Sequence, residues 1–236
     1  MASYVFPRLP VARKTGGEPF LDGCQPLSCD VLSFWKWSAS DLASNALRGV
    51  VAEYLVAQAL GIAGGMRLEW AAYDLKIPCG ATIEVKSSAY IQTWPQTRLS
   101  TIKFGIAPTR FVDSETNVLS PEVKRQADLY VFALLGHQDQ TTFDPLNVKQ
   151  WKFLVLRSSV LDARLGPQKG LSLATLLSLQ PAECDYGQLR TTIESAARQA
   201  DDAATASQPL EPLRSEGNGT LAMTRSGADS TPPFSS

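Results

Sequence analysis

The segment Ala81–Ser88, ATIEVKSS, places an acid and a lysine two residues apart in a short run of apolar and small residues. Successive side chains of a β-strand point to opposite faces, so Glu84 and Lys86 share one face of this predicted strand. Ile83 and Val85 then share the other face. A carboxylate beside an ammonium group is suited to cation binding and to phosphate chemistry. The structural alternative is an exposed Glu/Lys pair on an edge strand.

A second acid, Asp74, lies ten residues before Glu84, on the preceding predicted strand. A β-hairpin of this length brings the two carboxylates together, where they repel each other unless a proton or a metal ion compensates them. Carboxylate oxygens suit Mg²⁺, which takes only one or two carboxylates from a protein and keeps several waters. The Val85 carbonyl is a candidate third metal ligand. Lys86 is placed to orient or deprotonate an attacking water, or to stabilise charge on a phosphate.

Glu53 lies in the middle of a predicted helix, RGVVAEYLVAQALG, with apolar residues on both sides. An acid in partly buried surroundings needs a partner, and no residue three or four positions away on this helix is basic. Glu53 is therefore a candidate for the same metal site. Solvation, or pairing with a residue distant in the sequence, is the alternative.

An acid on an early helix, then Asp74, then Glu84-Val85-Lys86 on a strand resembles the PD-(D/E)XK nuclease superfamily, which includes restriction endonucleases and Holliday-junction resolvases. The run IEVKSSAYIQTW also resembles small bacterial members in which a glutamine follows the Glu-x-Lys strand, and Gln92 occupies that place. The sequence departs from the pattern at Tyr73, where the name-giving motif has a proline that is often replaced. The resemblance extends over residues 40–157.

This resemblance implies a metal-dependent nuclease that hydrolyses phosphodiester bonds, with DNA as the expected substrate and Mg²⁺ or Mn²⁺ as the cofactor. It implies catalytic roles for five residues, which are Asp74, Glu84, Lys86, Glu53 and Gln92. The first two act as metal ligands that activate a water, and Lys86 is the catalytic lysine. Restriction-type members often act as dimers, so a homodimer is a prediction by analogy.

Polar and aromatic residues follow the Glu-x-Lys strand. Ser88, Tyr90 and Trp94 are candidate substrate-binding residues, because hydroxyl groups contact phosphates and aromatic rings stack on bases. The alternative is that Tyr90 and Trp94 cap the core, since large aromatic side chains are mostly buried.

The order of predicted elements indicates an α/β domain with a central mixed β-sheet flanked by helices, a restriction-endonuclease-like core. We predict an irregular N-terminal lead-in over 1–37, a nuclease-like domain over 38–200, and a disordered tail over 201–236. Predicted helices cover Asp41–Leu60, Ser158–Leu165, Leu171–Leu179 and Gly187–Ala200. Predicted strands cover Arg67–Ala72, Tyr73–Ile77, Ala81–Ser88, Ile102–Ala107, Ala127–Leu135 and Trp151–Leu156.

Charge is divided unevenly along the chain, whose net charge is −1. The segment 201–236 contains five acidic and two basic residues, so the preceding residues have a net charge of +2. This balance fits an enzyme that contacts phosphates locally and uses carboxylates for metal. It excludes a protein that coats nucleic acid without specificity.

The sequence contains no apolar run of about 18 residues, so we predict no transmembrane helix and no membrane partner. The N-terminus has no signal-peptide pattern, which predicts a cytoplasmic protein. The four cysteines form no close CxxC pair and only one histidine is present, which argues against a zinc site.

Two alternatives to a nuclease are kept. The fold could serve as a nucleic-acid-binding or partner-binding module with little or no turnover, which the near-neutral charge favours and the intact acid/acid/lysine set opposes. A small-molecule enzyme using the same carboxylates is less supported, because the sequence has no glycine-rich phosphate loop.

Overall fold

The computed structural model describes residues 9–67, 69, 71–111 and 118–206, with side chains described up to residue 198. Strands β1 (Pro19–Asp22) and β2 (Gln25–Asp30) form an antiparallel hairpin, and helix α1 (Val31–Ser38) follows directly. This differs from the predicted irregular lead-in. Pro19 and Pro26 are tolerated in these strands because both strands of a lone hairpin have a free edge.

A five-stranded mixed sheet forms the centre of the domain and confirms the predicted fold class. Its strands, in spatial order, are β3 (Leu75–Lys76), β4 (Thr82–Ala89), β6 (Leu129–Leu135), β7 (Trp151–Arg157) and β9 (Ala182–Cys184). Strands β4 and β6 run parallel, whereas the other neighbouring pairs are antiparallel. Strand β6 is buried at every position, as its continuous apolar sequence predicts.

Helix α2 (Asn45–Leu60) packs on β4. The Ser44 side chain caps it by accepting a hydrogen bond from the Leu47 amide at 3.4 Å. Gly61 ends it in the left-handed conformation, at a φ of +73°, which glycine adopts without strain. The helix begins four residues later than predicted, because Asp41 instead accepts the Ser44 amide in a turn.

The two faces of the sheet have separate cores. Helices α2 and α5 (Leu189–Ala206) contribute to the core on the face that includes Val131. A two-stranded sheet of β5 (Lys103–Gly105) and β8 (Gly170–Ser172) helps to cover the opposite face, where Phe132 lies. Helices α3 (Ser158–Leu165) and α4 (Leu173–Ser178) complete that layer. The α2 side and the β5/β8 side thus enclose β6 completely.

Two predicted strands and the predicted tail differ from the structure. No strand forms at the described residues of 67–72, and the strand predicted over 73–77 is reduced to β3. Arg67 and Tyr73, the first residues of the two predicted strands, instead line a cavity beside α2. Helix α5 continues into the predicted tail as far as Ala206, and 207–236 lies outside the described residues. None of the helices in the described ranges has the length and apolar character needed to cross a bilayer.

The core around Phe132, which we call the second core, is covered by a layer made of β5, β8, α3 and α4. Arg125 connects parts of that layer. Its side chain is fully buried, and its Nε donates to the Ile106 carbonyl at 2.9 Å. Its Nη2 donates to the carbonyls of Gly166 and Gln168 at 2.9 and 3.1 Å, and its Nη1 pairs with Asp162. One guanidinium therefore holds three segments of the chain together.

We expect Arg125→Ala to lower the free energy of unfolding by about 3 kcal/mol, because one carboxylate and three carbonyls lose their donor. Urea denaturation followed by circular dichroism measures this. The neighbouring Lys124→Ala is the control, since Lys124 is exposed and pairs with an exposed Glu122. Its effect should stay within about 0.5 kcal/mol. Equal effects of the two substitutions would contradict the role given to Arg125.

Candidate active site

The hairpin between β3 and β4 positions Asp74 beside the Glu-x-Lys strand. The Asp74 amide donates to the Ile83 carbonyl at 3.0 Å. The Asp74 carboxylate accepts the Val85 amide at 2.7 Å through Oδ2. Since the N–H and C=O groups of one strand residue point to the same edge of the strand, the Val85 carbonyl also faces the edge where Asp74 lies. The hairpin thus holds Asp74 through both its main chain and its side chain.

Glu84 and Lys86 share one face of β4, as the alternation predicts. Glu84 is in register with Tyr130 of β6, and Lys86 is in register with Phe132. Lys86 Nζ donates to Glu84 Oε1, and the side chains of Lys86 and Glu84 are 33% and 20% exposed. The pair therefore lies at the border between the second core and solvent, where both charges can reach a substrate.

Asp74 holds its negative charge in unfavourable surroundings. Burial raises the pKa of Asp74 to about 6, and the neighbouring Glu84 carboxylate adds to the rise. Glu53 acts in the same direction on the pKa of Asp74, whereas the Val85 amide and the Lys86 ammonium group oppose it. A bound cation would relieve both the burial and the repulsion between carboxylates.

Asp74, Glu84 and Lys86 line one cleft of about 570 Å³. The structure thus brings together the three residues at the centre of the sequence prediction. The other described residues that line the cleft come from the segment before β3, from the chain between β4 and β6, and from β6 itself. They are Ala71, Ala72, Gly105, Ala107, Thr109, Arg110, Phe111, Gln126 and Tyr130.

Tyr130 and Arg110 are cleft residues with polar groups that sequence analysis missed. Burial raises the pKa of Tyr130 to about 12, and the Glu84 charge adds to the rise, so its hydroxyl remains a hydrogen-bond donor at neutral pH. One signal in the sequence could have found Tyr130, because its side chain is the only one with a hydroxyl group in the apolar run ADLYVFALL. Its register with Glu84 could not be read from one sequence. Arg110 lies on an irregular connection and gave no signal.

A family model described as bacteriophage T4 endonuclease IV matches residues 31–175, which is more than half of the chain. The chain belongs to the bacteriophage T4 endonuclease IV family. The region that matches this family runs from the start of α1 into α4 and contains every residue of the cleft. Among curated proteins, no sequence matches the chain.

Membership in the T4 endonuclease IV family places the chain in a nuclease family. The prediction of a nuclease is therefore confirmed at that level. The narrower assignment to the PD-(D/E)XK superfamily stays a prediction.

Glu53 of this T4 endonuclease IV family member lines a second cavity, of about 510 Å³, beside α2. It is paired with Arg67 through two contacts, Nε to Oε2 at 2.5 Å and Nη2 to Oε1 at 3.0 Å. This is the distant pairing that the sequence left open. Asp74 lines both cavities, whereas Glu53 lines only the second. A role for Glu53 in metal binding stays a prediction, and it would require Glu53 to release part of the Arg67 pair.

Gln92 is buried and lies outside the lining of the cleft. Its Oε1 accepts Arg48 Nη1 at 3.2 Å, and its Nε2 donates to the Ala89 carbonyl at 2.8 Å. Arg48 is also buried and donates to Ser87 Oγ at 3.1 Å and to Asn45 Oδ1 at 2.7 Å. Gln92 therefore joins the first turn of α2 to the end of β4, and the geometry favours a positioning role.

We expect Gln92→Ala to lower the free energy of unfolding by about 1–2 kcal/mol, because the buried Arg48 loses an acceptor. Cleavage by the folded fraction should stay within a factor of about three of the wild type, since no reacting group is removed. Thermal melting and single-turnover cleavage measure the two effects, with the exposed Gln138→Ala as control. A stable Gln92→Ala protein that has lost cleavage would instead support the catalytic role predicted from the sequence.

The three predicted substrate-binding residues lie outside the cleft lining. Ser88 is buried, and Tyr90 packs against the second core, which matches the capping alternative. Trp94 is half exposed and presents its ring to solvent. Contact with substrate stays a prediction for all three, and Trp94 is the one whose side chain is most accessible.

The donors around Asp74 fit a hard divalent cation. Asp74, directly before β3, and Glu84 of β4 supply carboxylate oxygens, and the Val85 carbonyl faces the edge of β4 where Asp74 lies. Such an oxygen set matches the ligands that Mg²⁺ prefers, because Mg²⁺ is bound through one or two carboxylates. Within the described ranges, no group of three or more His, Cys, Asp or Glu side chains is arranged to hold a metal ion.

Proposed function

We propose that this chain is a metal-dependent endonuclease that hydrolyses phosphodiester bonds in DNA. The observation that supports this best is that Asp74, Glu84 and Lys86 line one cleft in a chain of an endonuclease family. The same arrangement of two acids and a lysine on a hairpin supports assignment to the PD-(D/E)XK superfamily.

Each of the three residues has a role that follows from its position. Asp74 and Glu84 would hold Mg²⁺ or Mn²⁺, and the Val85 carbonyl would be a further ligand. The bound metal would supply Lewis-acid activation of a water and of the scissile phosphate. Lys86 already donates to Glu84, so its ammonium group is directed toward the carboxylates. There it can stabilise the negative charge that develops on the phosphate oxygens.

Substrate binding would use the rest of the cleft. Arg110 is exposed there, and a guanidinium group can contact a phosphate with two parallel hydrogen bonds. The Tyr130 hydroxyl is a neutral donor beside Glu84. Gln126 Nε2 donates to the Thr109 carbonyl at 2.7 Å and so holds together the part of the wall that positions Arg110.

The test is cleavage of supercoiled plasmid, linear duplex and single-stranded DNA with Mg²⁺, with Mn²⁺ and with EDTA. Wild-type protein should cleave only with metal, and Glu84→Gln should reduce cleavage at least 100-fold, on the order of the loss of one stabilising group. The matched control is Glu183→Gln, because Glu183 is an exposed acid on β9 of the same sheet.

Cleavage that continues in EDTA, or that Glu84→Gln leaves intact, would contradict the proposal. Tight binding of DNA by a folded wild-type protein without any cleavage in Mn²⁺ would favour the binding-module alternative.

A further inference from the structure

The chain that follows the Glu-x-Lys strand has an uneven distribution of charge. Residues 85–112 contain four basic side chains and no acidic one, although the whole chain has 23 acidic residues among 236. Two of the four, Lys86 and Arg110, line the cleft. The other two, Arg98 and Lys103, are exposed outside its lining. Neither of these two forms an ion pair with any residue that the structure describes, so both cations are open to an anion.

Strand β5 places Lys103 beside the cleft. Its two outer positions, Lys103 and Gly105, are exposed, whereas Phe104 between them is buried in the second core. Gly105 also lines the cleft, so the exposed face of β5 begins at the cleft. Alternate residues of a strand lie on the same face and are about 7 Å apart. Lys103 is therefore the next side chain on that face beyond the cleft.

The pairing of β5 with β8 leaves this face open next to Lys103. Gly105 is in register with Gly170 of β8, and both glycines are exposed. A Cβ at Gly105 would have no atom within 4 Å, so nothing fills the space above it. The floor beside the cleft is therefore bare backbone, which another chain can approach closely.

The loop between β4 and β5 exposes an aromatic ring and a guanidinium group on a fixed main chain. Trp94 is 50% exposed. Gln96 organises the loop, because its Oε1 accepts the Gln92 amide at 2.7 Å and its Nε2 donates to the carbonyls of Tyr90 and Arg98 at 3.1 and 3.3 Å. A tryptophan ring held out to solvent in this way can stack on a nucleobase, and the arginine beside it can contact a phosphate.

We propose that Lys103, Arg98 and Trp94, which we call the basic track, bind the DNA strand where it leaves the cleft. The two basic residues contact phosphates, and the Trp94 ring stacks on a base. A nucleic-acid strand is favoured over a protein partner because the segment has cations without any acid, and phosphate binding depends on uncompensated basic groups. The open floor at Gly105 joins the track to the cleft. The inference rests on the proposed function, which takes DNA as the molecule in the cleft.

The test is the affinity of the full chain for single-stranded DNA in EDTA, measured by fluorescence anisotropy at several salt concentrations. Two labelled oligonucleotides are compared, one of about 4 nucleotides, which fills the cleft alone, and one of about 12, which also covers the track. The wild type should bind the longer one more tightly by a factor of about 10 or more, because it gains a stacked base and two phosphate contacts.

Variants of the track should remove this preference for length. Lys103→Ala and Arg98→Ala should each reduce the slope of log affinity against log salt by about 0.7, which is the effect of one phosphate contact in a single strand. Trp94→Ala should weaken binding of the longer oligonucleotide by a factor of about 5 to 150, whereas Trp94→Phe should keep most of the affinity because it keeps a ring. None of these changes should alter the affinity for the short oligonucleotide.

The matched controls are Lys152→Ala and Trp37→Ala. Lys152 is an exposed lysine on β7, and Trp37 is an 84% exposed tryptophan on α1, so each removes the same kind of side chain from outside the track. Both should bind the two oligonucleotides as the wild type does.

A wild type that binds both oligonucleotides equally, or binds neither, would overturn the proposal. So would track variants that keep the wild-type affinity and salt slope while circular dichroism shows them folded. Binding and cleavage fail separately. Length-dependent binding that the variants lose, in a protein that cleaves no DNA in Mn²⁺, would support the track and contradict the proposed nuclease activity. Metal-dependent cleavage by a protein whose track variants bind normally would do the reverse.

Discussion

Replacement of Lys86 by alanine is expected to lower the rate of DNA cleavage by a factor of about 10² to 10³ at saturating metal and substrate. Lys86 is the only ammonium group among the described residues that line the cleft, and it is held against Glu84. Without it, the charge that develops on the phosphate loses its nearest compensating group from the protein. Single-turnover cleavage of a labelled duplex measures this rate without interference from product release.

The matched control is Lys152→Ala, because Lys152 is an exposed lysine on β7 of the same sheet. It removes the same charge from a strand without touching the cleft, so its rate should equal that of the wild type. Lys86→Ala should keep the wild-type circular dichroism spectrum, since the side chain is one-third exposed. A Lys86→Ala rate within tenfold of the wild type would remove this lysine from the mechanism.

Replacement of Asp74 by asparagine is expected to abolish cleavage and, at neutral pH in EDTA, to stabilise the protein. Asparagine keeps an oxygen that can accept the Val85 amide, but it brings no negative charge beside Glu84. Cleavage should fall by a factor of about 10³ or more, because the substitution removes the charge of a proposed metal ligand. The same substitution removes the unfavourable burial of charge, so function and stability should change in opposite directions.

The sign of the pH dependence follows from the raised pKa of Asp74, which is about 6 in the folded protein against an ordinary value of 3.8. Between these values the folded state binds more protons than the unfolded state, so the stability of the wild type falls as pH rises from about 4 to 6. The loss amounts to roughly 3 kcal/mol once Asp74 is ionised. The Asp74→Asn protein has no carboxylate to ionise at this position, so it should not lose this stability as the pH rises.

Urea denaturation in EDTA at pH 4 and at pH 7.5 measures the difference. The two proteins should have similar stabilities at pH 4, and Asp74→Asn should be the more stable at pH 7.5. Added Mg²⁺ should then stabilise the wild type and not the variant, because only a site with both carboxylates gains from binding. Glu183→Gln, an exposed change of the same kind, should show no pH-dependent difference. If the Asp74→Asn protein were less stable than the wild type at pH 7.5, the raised pKa of the Asp74 carboxylate would be contradicted.

The central part of the site could be predicted because its signals are local. The alternation in ATIEVKSS places Glu84 and Lys86 on one face of β4. The short turn after β3 brings Asp74 beside that strand. The apolar run of β6 likewise predicts a buried central strand. Each of these inferences depends only on the geometry of one strand or one hairpin.

The remaining features depend on contacts between distant parts of the chain. Glu53 pairs with Arg67, which lies 14 residues later at the start of a segment predicted to be a strand, and one sequence does not reveal that pairing. Tyr130 reaches the cleft only because β6 pairs with β4 in a particular parallel register. The hairpin of β1 and β2 was hidden because its prolines are tolerated in strands with free edges and its glycine, Gly23, lies in the turn between them.

The parallel pairing of β4 with β6 requires the chain between them, residues 90–128, to cross from one end of the sheet to the other. That crossover provides Arg110 and Gln126, while the hairpin and β4 provide the two acids and the lysine. Under the proposed function, the residues for catalysis and those for substrate contact would be encoded in separate, consecutive stretches of the gene. Under the proposed function, exchange of the crossover between relatives would be expected to change which DNA is cut while Asp74, Glu84 and Lys86 stay in place, so new specificities would arise by recombination as well as by point mutation.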